Sequence, residues 1–184
     1  MNTLHHWRYF LSLEREFVES LRYVELTSRQ EEVFSFEFAR LLLLLCSELD
    51  VVFKVACDHA APASGADCIG RYFECLDNKY DLGSEEVRVD RYSQRVVPFQ
   101  GWTAQVPPPW WTAGNKVKHR RHEHFEQATL GNALKAVSGL FVANLIVLHE
   151  QAALDHLYET PVLLGRDSEP GHLMLEASYR VNLR

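Results

Sequence analysis

The sequence lacks the features that would place this protein in or across a membrane. It has no clean run of about 20 apolar residues, the length that a membrane-spanning helix needs. Its two most apolar stretches, at 38–46 and 133–148, are bounded or interrupted by charged and polar residues. The chain also begins without the basic and apolar stretches of a secretory signal. We therefore expect a cytoplasmic protein that does not enter a membrane.

Motifs for metal, cofactor and covalent chemistry are also missing. The four cysteines form no Cys-x-x-Cys pair, which predicts reduced structural thiols. No complete phosphate loop, dinucleotide glycine signature or Gly-x-Ser-x-Gly motif occurs. His119 and Glu123 have the four-residue spacing of helical metal ligands, but no further ligand set stands at a recognisable spacing. The sequence therefore predicts no metal and no cofactor.

A surplus of positive charge is absent as well. The formal net charge is -6, from 19 Lys and Arg against 25 Asp and Glu. A protein that holds phosphate over its whole surface needs many cations. Any nucleic-acid site on this chain must therefore be local.

What is present is a strong helical pattern. The 184 residues, 47% of them hydrophobic, are enough for one core but few for two. Apolar residues recur at helical spacing in five segments: 4–26, 30–59, 67–80, 110–125 and 127–158. The second and fifth segments are the most apolar and predict two long buried helices. We expect a mainly α protein, a compact helical bundle in a single domain covering residues 1–184.

Shorter extended pieces are expected outside the helices. Residues 87–92 and 95–99 are rich in β-forming side chains on either side of a Ser-Gln pair, which favours a small hairpin. Residues 159–184 contain prolines, glycines and β-like ends. We expect them to form a peripheral strand pair, from residues 162–164 and 179–183, or a peripheral tail, which leaves the bundle core at about 4–158.

One short stretch concentrates positive charge. Residues 114–124 contain four of the 19 Lys and Arg and three histidines. The four cations are predicted phosphate contacts: Lys116, Lys118, Arg120 and Arg121. Asn115 and His119 are four residues apart and so share a helix face, where the amide could orient an imidazole that exchanges protons near neutral pH. A solvated helix end, where the helix dipole favours cations, is the alternative interpretation.

The surrounding residues resemble a known family. The pattern comprises Pro109-Trp110-Trp111, Asn115-x-Val117-Lys118-His119-x-Arg121 and Ala128-Thr129-Leu130-x-Asn132-Ala133-Leu134. With the upstream helix at 37–49 it covers roughly half to two thirds of the chain and resembles bacterial relatives of the HEPN superfamily. The resemblance implies a helical bundle, usually a homodimer, that binds or acts on RNA. Many such proteins are metal-independent endoribonucleases of bacterial defence or toxin-antitoxin systems.

The resemblance also implies roles for individual residues. Asn115 and His119 stand at the polar and histidine positions of the family hallmark and would be the catalytic residues. Gly114 stands where the hallmark has an arginine, which helps to stabilise the phosphate under attack. Three other arginines are candidates to replace it: Arg40, Arg120 and Arg121.

Two further sets of residues bear on a possible site. Glu37, Arg40 and Glu48 fall on one stripe of the predicted second helix. They form either a buried ionic network that supports a site or ordinary exposed pairs. The tryptophans that flank the proline run, Trp102, Trp110 and Trp111, could stack on RNA bases, although core packing is favoured.

A function of a different class remains open. The chain could be a non-catalytic helical module that dimerises or binds a protein partner, and glycine at position 114 favours this hypothesis. An open cleft that brings Asn115, His119 and an arginine together would favour catalysis.

Overall fold

The structure, a computed structural model, describes residues 4–151 and 160–165. Within these residues it contains five α-helices: α1 (Leu4–Ser20), α2 (Phe36–Ala60), α3 (Ile69–Tyr80), α4 (Pro109–His124) and α5 (Leu130–Glu150). Helices α2 and α5 pack along each other at the centre, and α1 and α4 each contact both of them. The predicted mainly α bundle with two long buried helices is confirmed.

Helix α5 lies inside the bundle for almost its whole length. By length and composition it is apolar enough to cross a bilayer, yet 89% of its most apolar window is buried within the structure. Thr129 caps its first turn by accepting a hydrogen bond from the Asn132 N–H at 3.1 Å. The buried amide of Asn144 donates to the Leu140 carbonyl at 2.9 Å, so one polar side chain in the core is satisfied locally. This helix is therefore the core helix of the fold.

Helices α1 and α2 are shorter than their periodicity predicts. The Ser20 hydroxyl donates to the Phe17 carbonyl at 2.6 Å, which competes with the helical backbone and ends α1 six residues early. Ser35 has extended backbone and accepts from the Phe38 N–H at 3.1 Å, so α2 begins at Phe36. Residues 21–33 are turns, bends and irregular chain, Phe34 forms an isolated β-bridge, and none of them is helical.

The extended residues form a small antiparallel sheet. Its strands are β1 (Val87–Val89), β2 (Gln94–Val96) and β3 (Leu164–Gly165), in the order β2-β1-β3. The predicted hairpin is present, and it turns through Ser93 in the left-handed region at a φ of 51°. Strand β3 pairs with the hairpin; the possible second strand of the tail, at 179–183, lies outside the described residues.

A buried carboxylate on α1 fastens the chain before β3. Glu14 is 1% exposed. Its two oxygens accept hydrogen bonds from three successive backbone N–H groups, those of Val162 and Leu163 at 2.9 Å and of Leu164 at 3.0 Å. Residues 160–165, which we expected in a peripheral tail, are held against the bundle by this clamp.

Candidate functional site

Helix α4 places the two residues of the hallmark on its solvent face. Trp110, Gly114 and Val117 are buried against the bundle, whereas Asn115 and His119 are exposed on the opposite side of the helix. The predicted sharing of one face is confirmed, because the backbone is helical from Pro109 to His119. The face is open to solvent.

Gly114 lies where α4 comes closest to α2. A Cβ at this position would stand 2.6 Å from the Cys46 Sγ and 3.6 Å from the Leu42 Cγ. A larger side chain would require Cys46 to change its rotamer or the two helices to move apart. Glycine at this position thus has a packing reason.

An irregularity in α4 occurs at Arg120. Arg120 has a φ of -143° and a ψ of 53°, outside the helical region. The regular part of α4 therefore ends at His119. The last turn, residues 121–124, is redirected relative to the rest of the helix.

Most of the predicted phosphate contacts are free of internal partners. Lys116, Lys118 and Arg121 are exposed and form no hydrogen bond or ion pair with residues 4–151 or 160–165. Arg120 lies 3.5 Å from the carboxylate of Glu123. The structure therefore exposes all four cations, Lys116 and Lys118 on the regular part of α4 and Arg120 and Arg121 at and after its irregular turn.

The charge of Lys118 also affects Cys46, a residue of α2 at the contact with α4. Burial raises the pKa of the Cys46 thiol to about 12, and the positive charge of Lys118 offsets part of that rise. The ammonium group is thus near enough to influence the α2–α4 contact while remaining exposed. The other cysteines are free as well, as predicted.

Arg40 cannot replace the missing arginine. Its guanidinium contacts Glu37 at 2.5 Å and Glu16 of α1 at 2.7 Å. The hydrogen bond from Arg40 lowers the pKa of Glu37, and the two carboxylates raise the pKa of Arg40. Arg40 faces α1. Leu42 lies two residues further along α2, which places it on nearly the opposite side of the helix, and it faces α4. Arg40 is therefore directed away from the side of α2 that contacts α4.

The predicted stripe on α2 is divided into two separate groups. The Glu48 carboxylate accepts a hydrogen bond from the His6 Nδ1 at 2.7 Å, and both side chains are about nine-tenths buried. Arg40 and Glu37 are instead about half exposed. Both groups link α1 to α2, and neither reaches α4. Arg40 and Glu37 thus form the exposed pairing, one of the two predicted arrangements. Glu48 forms a mostly buried pair with His6, away from α4.

The predicted site residues do not line a surface cleft that lies elsewhere on the described part of the chain. This cleft, with a volume of about 240 Å³, lies between the hairpin and the start of α5. Its polar lining consists of Glu31, Gln94, Arg95, Gln100 and Lys135. No three His, Cys, Asp or Glu side chains within the described ranges are grouped as metal ligands would be.

Sequence reasoning missed a group of aromatic side chains at the end of α4. Phe36 is 73% exposed and Phe34 is 47% exposed. Both rings contact Phe125, with centroid distances of 4.6 Å and 5.4 Å. The alternation Phe34-Ser35-Phe36 was the available signal, but Phe34 fell within the predicted helical segment at 30–59, whose apolar spacing it fits.

The three tryptophans are buried as expected. Their exposed fractions are 3% for Trp102, 1% for Trp110 and 8% for Trp111. The Trp110 Nε1 donates to the Pro98 carbonyl at 2.6 Å inside the core. Core packing therefore accounts for them, and base stacking by these residues is excluded in this conformation.

Comparison of the chain with protein-family models, with curated proteins and with solved structures finds no match.

Proposed function

We propose that this chain is a HEPN-like RNA-binding protein of the cytoplasm, whose basic segment, residues 116–124, holds the phosphate backbone. The observation that carries the proposal is the set of exposed cations Lys116, Lys118 and Arg121, which have no ionic partner among the described residues. They lie together on a protein whose net charge is -6. When a polyanion binds, exposed and unneutralised cations of the protein displace the counterions that are condensed on the polyanion.

Binding is better supported than cleavage. Asn115 and His119 keep the spacing of an orienting amide and a proton-transfer group, but they lie on an open helix face. The hallmark arginine position is occupied by a buried glycine, and Arg40 faces away. A metal-independent cut would therefore need Arg120 or Arg121, or an arginine from a second copy in a homodimer. The non-catalytic partner-binding module is the function that remains if RNA is not bound.

The binding proposal is tested by fluorescence anisotropy with labelled RNA of mixed sequence. The variant Lys118→Ala/Arg121→Ala should bind roughly tenfold more weakly, and its affinity should depend less on salt, with the logarithmic slope smaller by about two. Its matched control is Arg8→Ala/Arg22→Ala, which removes the same charge from exposed positions on and beside α1. Equal weakening of both variants, or no binding by the wild type, would reject the proposal.

Cleavage is a separate measurement on the same proteins. The wild type and His119→Ala are incubated with labelled RNA in EDTA, and the ends of the products are identified. A cut that leaves cyclic phosphate and is lost in His119→Ala would assign catalysis to His119. Intact RNA with both proteins would limit the function to binding.

A further inference from the structure

The aromatic cluster, defined as Phe34, Phe36 and Phe125, is an island of exposed aromatic surface. Phe36 is 73% exposed, although it begins a helix whose other large apolar side chains are mostly buried. Its ring lies against Phe125 at an interplanar angle of 33°, and Phe34 meets Phe125 edge-on at 85°. The three rings thus form a rigid surface of π-faces and edges and not a loose hydrophobic tail.

Backbone hydrogen bonds hold this cluster in place. The segment before α2 pairs with the segment before α5, where the N–H of Leu130 donates to the Val33 carbonyl at 2.8 Å and the N–H of Ser35 donates to the Ala128 carbonyl at 3.3 Å. Phe34 itself is paired with Thr129 across an antiparallel bridge. A ligand that contacts the rings therefore has little backbone entropy to remove.

Charge around the cluster is arranged unequally. On one side the basic segment ends at His124, the residue directly before Phe125. On the other side Arg40, one helical turn from Phe36, is already engaged by Glu37 and Glu16. Exposed carboxylates also stand beside the rings, at Glu32, Glu37 and Glu126. A polyanion is therefore attracted to the cations of α4 and not to the rings themselves, where uncharged groups would lie. The favoured ligand joins flat apolar groups to a chain of negative charges.

The size of the exposed surface argues against a second protein chain as the occupant. A phenylalanine side chain can bury about 200 Å², so the exposed parts of Phe34 and Phe36 offer roughly 250 Å². A stable protein interface needs about 800 Å² from each partner. A few stacked nucleobases match the smaller area, because every base has a flat π-face.

We infer that the aromatic cluster stacks unpaired nucleobases, so that the RNA bound by this protein is single-stranded there, with its phosphates along the basic segment. This inference rests on the RNA binding proposed above. Bases in a duplex stack on each other and cannot reach the rings, whereas unpaired bases stack on aromatic side chains in a sequence-tolerant way. The rings add selectivity for single strands to an affinity that the cations supply.

The test compares a labelled single-stranded oligoadenine with a labelled RNA duplex of equal length. The variant Phe34→Ala/Phe36→Ala alters exposed side chains, so we expect it to fold. It should bind the single strand roughly ten- to a hundredfold more weakly and the duplex unchanged. The salt dependence should also stay the same, because the phosphate contacts remain. Tyr23→Ala, which removes an aromatic side chain that is 89% exposed elsewhere, is the matched control.

A second variant gives a direct reading of stacking. In Phe36→Trp an indole replaces the exposed phenyl ring. The variant should keep tight binding to single-stranded RNA, and the RNA should quench more tryptophan fluorescence in the variant than in the wild type. Full single-strand affinity in Phe34→Ala/Phe36→Ala, together with weak binding by Lys118→Ala/Arg121→Ala, would overturn the stacking site and leave the proposed function standing. A wild-type dimer that Phe34→Ala/Phe36→Ala converts to a monomer without loss of RNA affinity would assign the cluster to self-association instead. No binding of any RNA by the wild type would reject the proposed function itself.

Discussion

The two sides of helix α2 use charge in different ways. On the side that faces α1, charged groups are matched: Arg40 contacts two carboxylates and Glu48 pairs with His6. On the side that faces α4, the neighbouring helix carries cations that no described residue neutralises. Charge on the α1 side therefore serves to hold helices together. Charge on the α4 side has no such internal use and is available to a ligand.

The largest effect should come from breaking the most buried part of the α1 side. Glu14→Ala removes the acceptor for the N–H groups of Val162, Leu163 and Leu164. We expect the free energy of unfolding to fall by about 3 to 5 kcal/mol, because buried donors are left without partners. Urea denaturation measures the loss, and hydrogen exchange should accelerate at residues 162–164. Glu19→Ala, on the exposed face of the same helix, is the control, and equal stability of the two variants would contradict the clamp.

The next effect concerns the contact between α2 and α4. Gly114→Ala should cost about 1 to 3 kcal/mol, because its Cβ would stand 2.6 Å from the Cys46 Sγ. Gly114→Arg, which introduces a much larger side chain, should cost more. The penalty for Gly114→Ala should shrink in a Cys46→Ala background, where the obstructing sulfur is gone. An unchanged penalty in that background would show that Cys46 is not the cause.

A smaller effect on stability should follow from removing the exposed cation on the α1 side. Arg40→Ala should lower the free energy of unfolding by no more than about 1 kcal/mol, because the Arg40 side chain is 46% exposed and solvent screens its pairs. It should leave RNA affinity unchanged. Lys118→Ala should do the reverse, with stability kept and RNA affinity reduced. If Arg40→Ala weakened RNA binding as much as Lys118→Ala, the distinction between the two sides would fail.

The smallest expected effect is a change in the alkylation rate of Cys46, which probes the α2–α4 contact. Iodoacetamide reacts with thiolates, and burial raises the pKa of the Cys46 thiol to about 12. Its alkylation should therefore be slow near pH 8 and should accelerate as the pH approaches 12. Lys118→Ala should slow it further, because the nearby ammonium favours the thiolate. Mass spectrometry would follow Cys46 against exposed Cys68, and equal rates at pH 8 would contradict the buried setting.

Local sequence patterns predicted most of the helices but not all of their ends. Periodicity located α2 and α5 because their apolar faces repeat at helical spacing. It extended α1 and α2 too far, because it registers side-chain polarity and is insensitive to the hydroxyl groups of Ser20 and Ser35 that end or begin a helix. Phe34 was misplaced for the same reason.

For the candidate site as well, features within one helix could be predicted from the sequence and contacts between helices could not. Asn115 and His119 were predicted to share a helix face, which follows from helical geometry alone, and they do. The partners of Arg40 and Glu48 could not be predicted, because Glu16 and His6 are distant in sequence and meet them only when α1 packs on α2. The aromatic cluster likewise joins residues 34 and 125, about half the chain apart.

The helical class, the two long buried helices and the position of the basic segment could be predicted from the sequence, because they depend on composition and on periodicity within one stretch of chain. Which charges are neutralised and which are free depends on tertiary contacts. The tertiary structure also decided that Gly114 is a site of close packing and that aromatic rings lie beside the cations. Those properties depend on which elements meet, and the meeting of elements is set by the packing of the whole core.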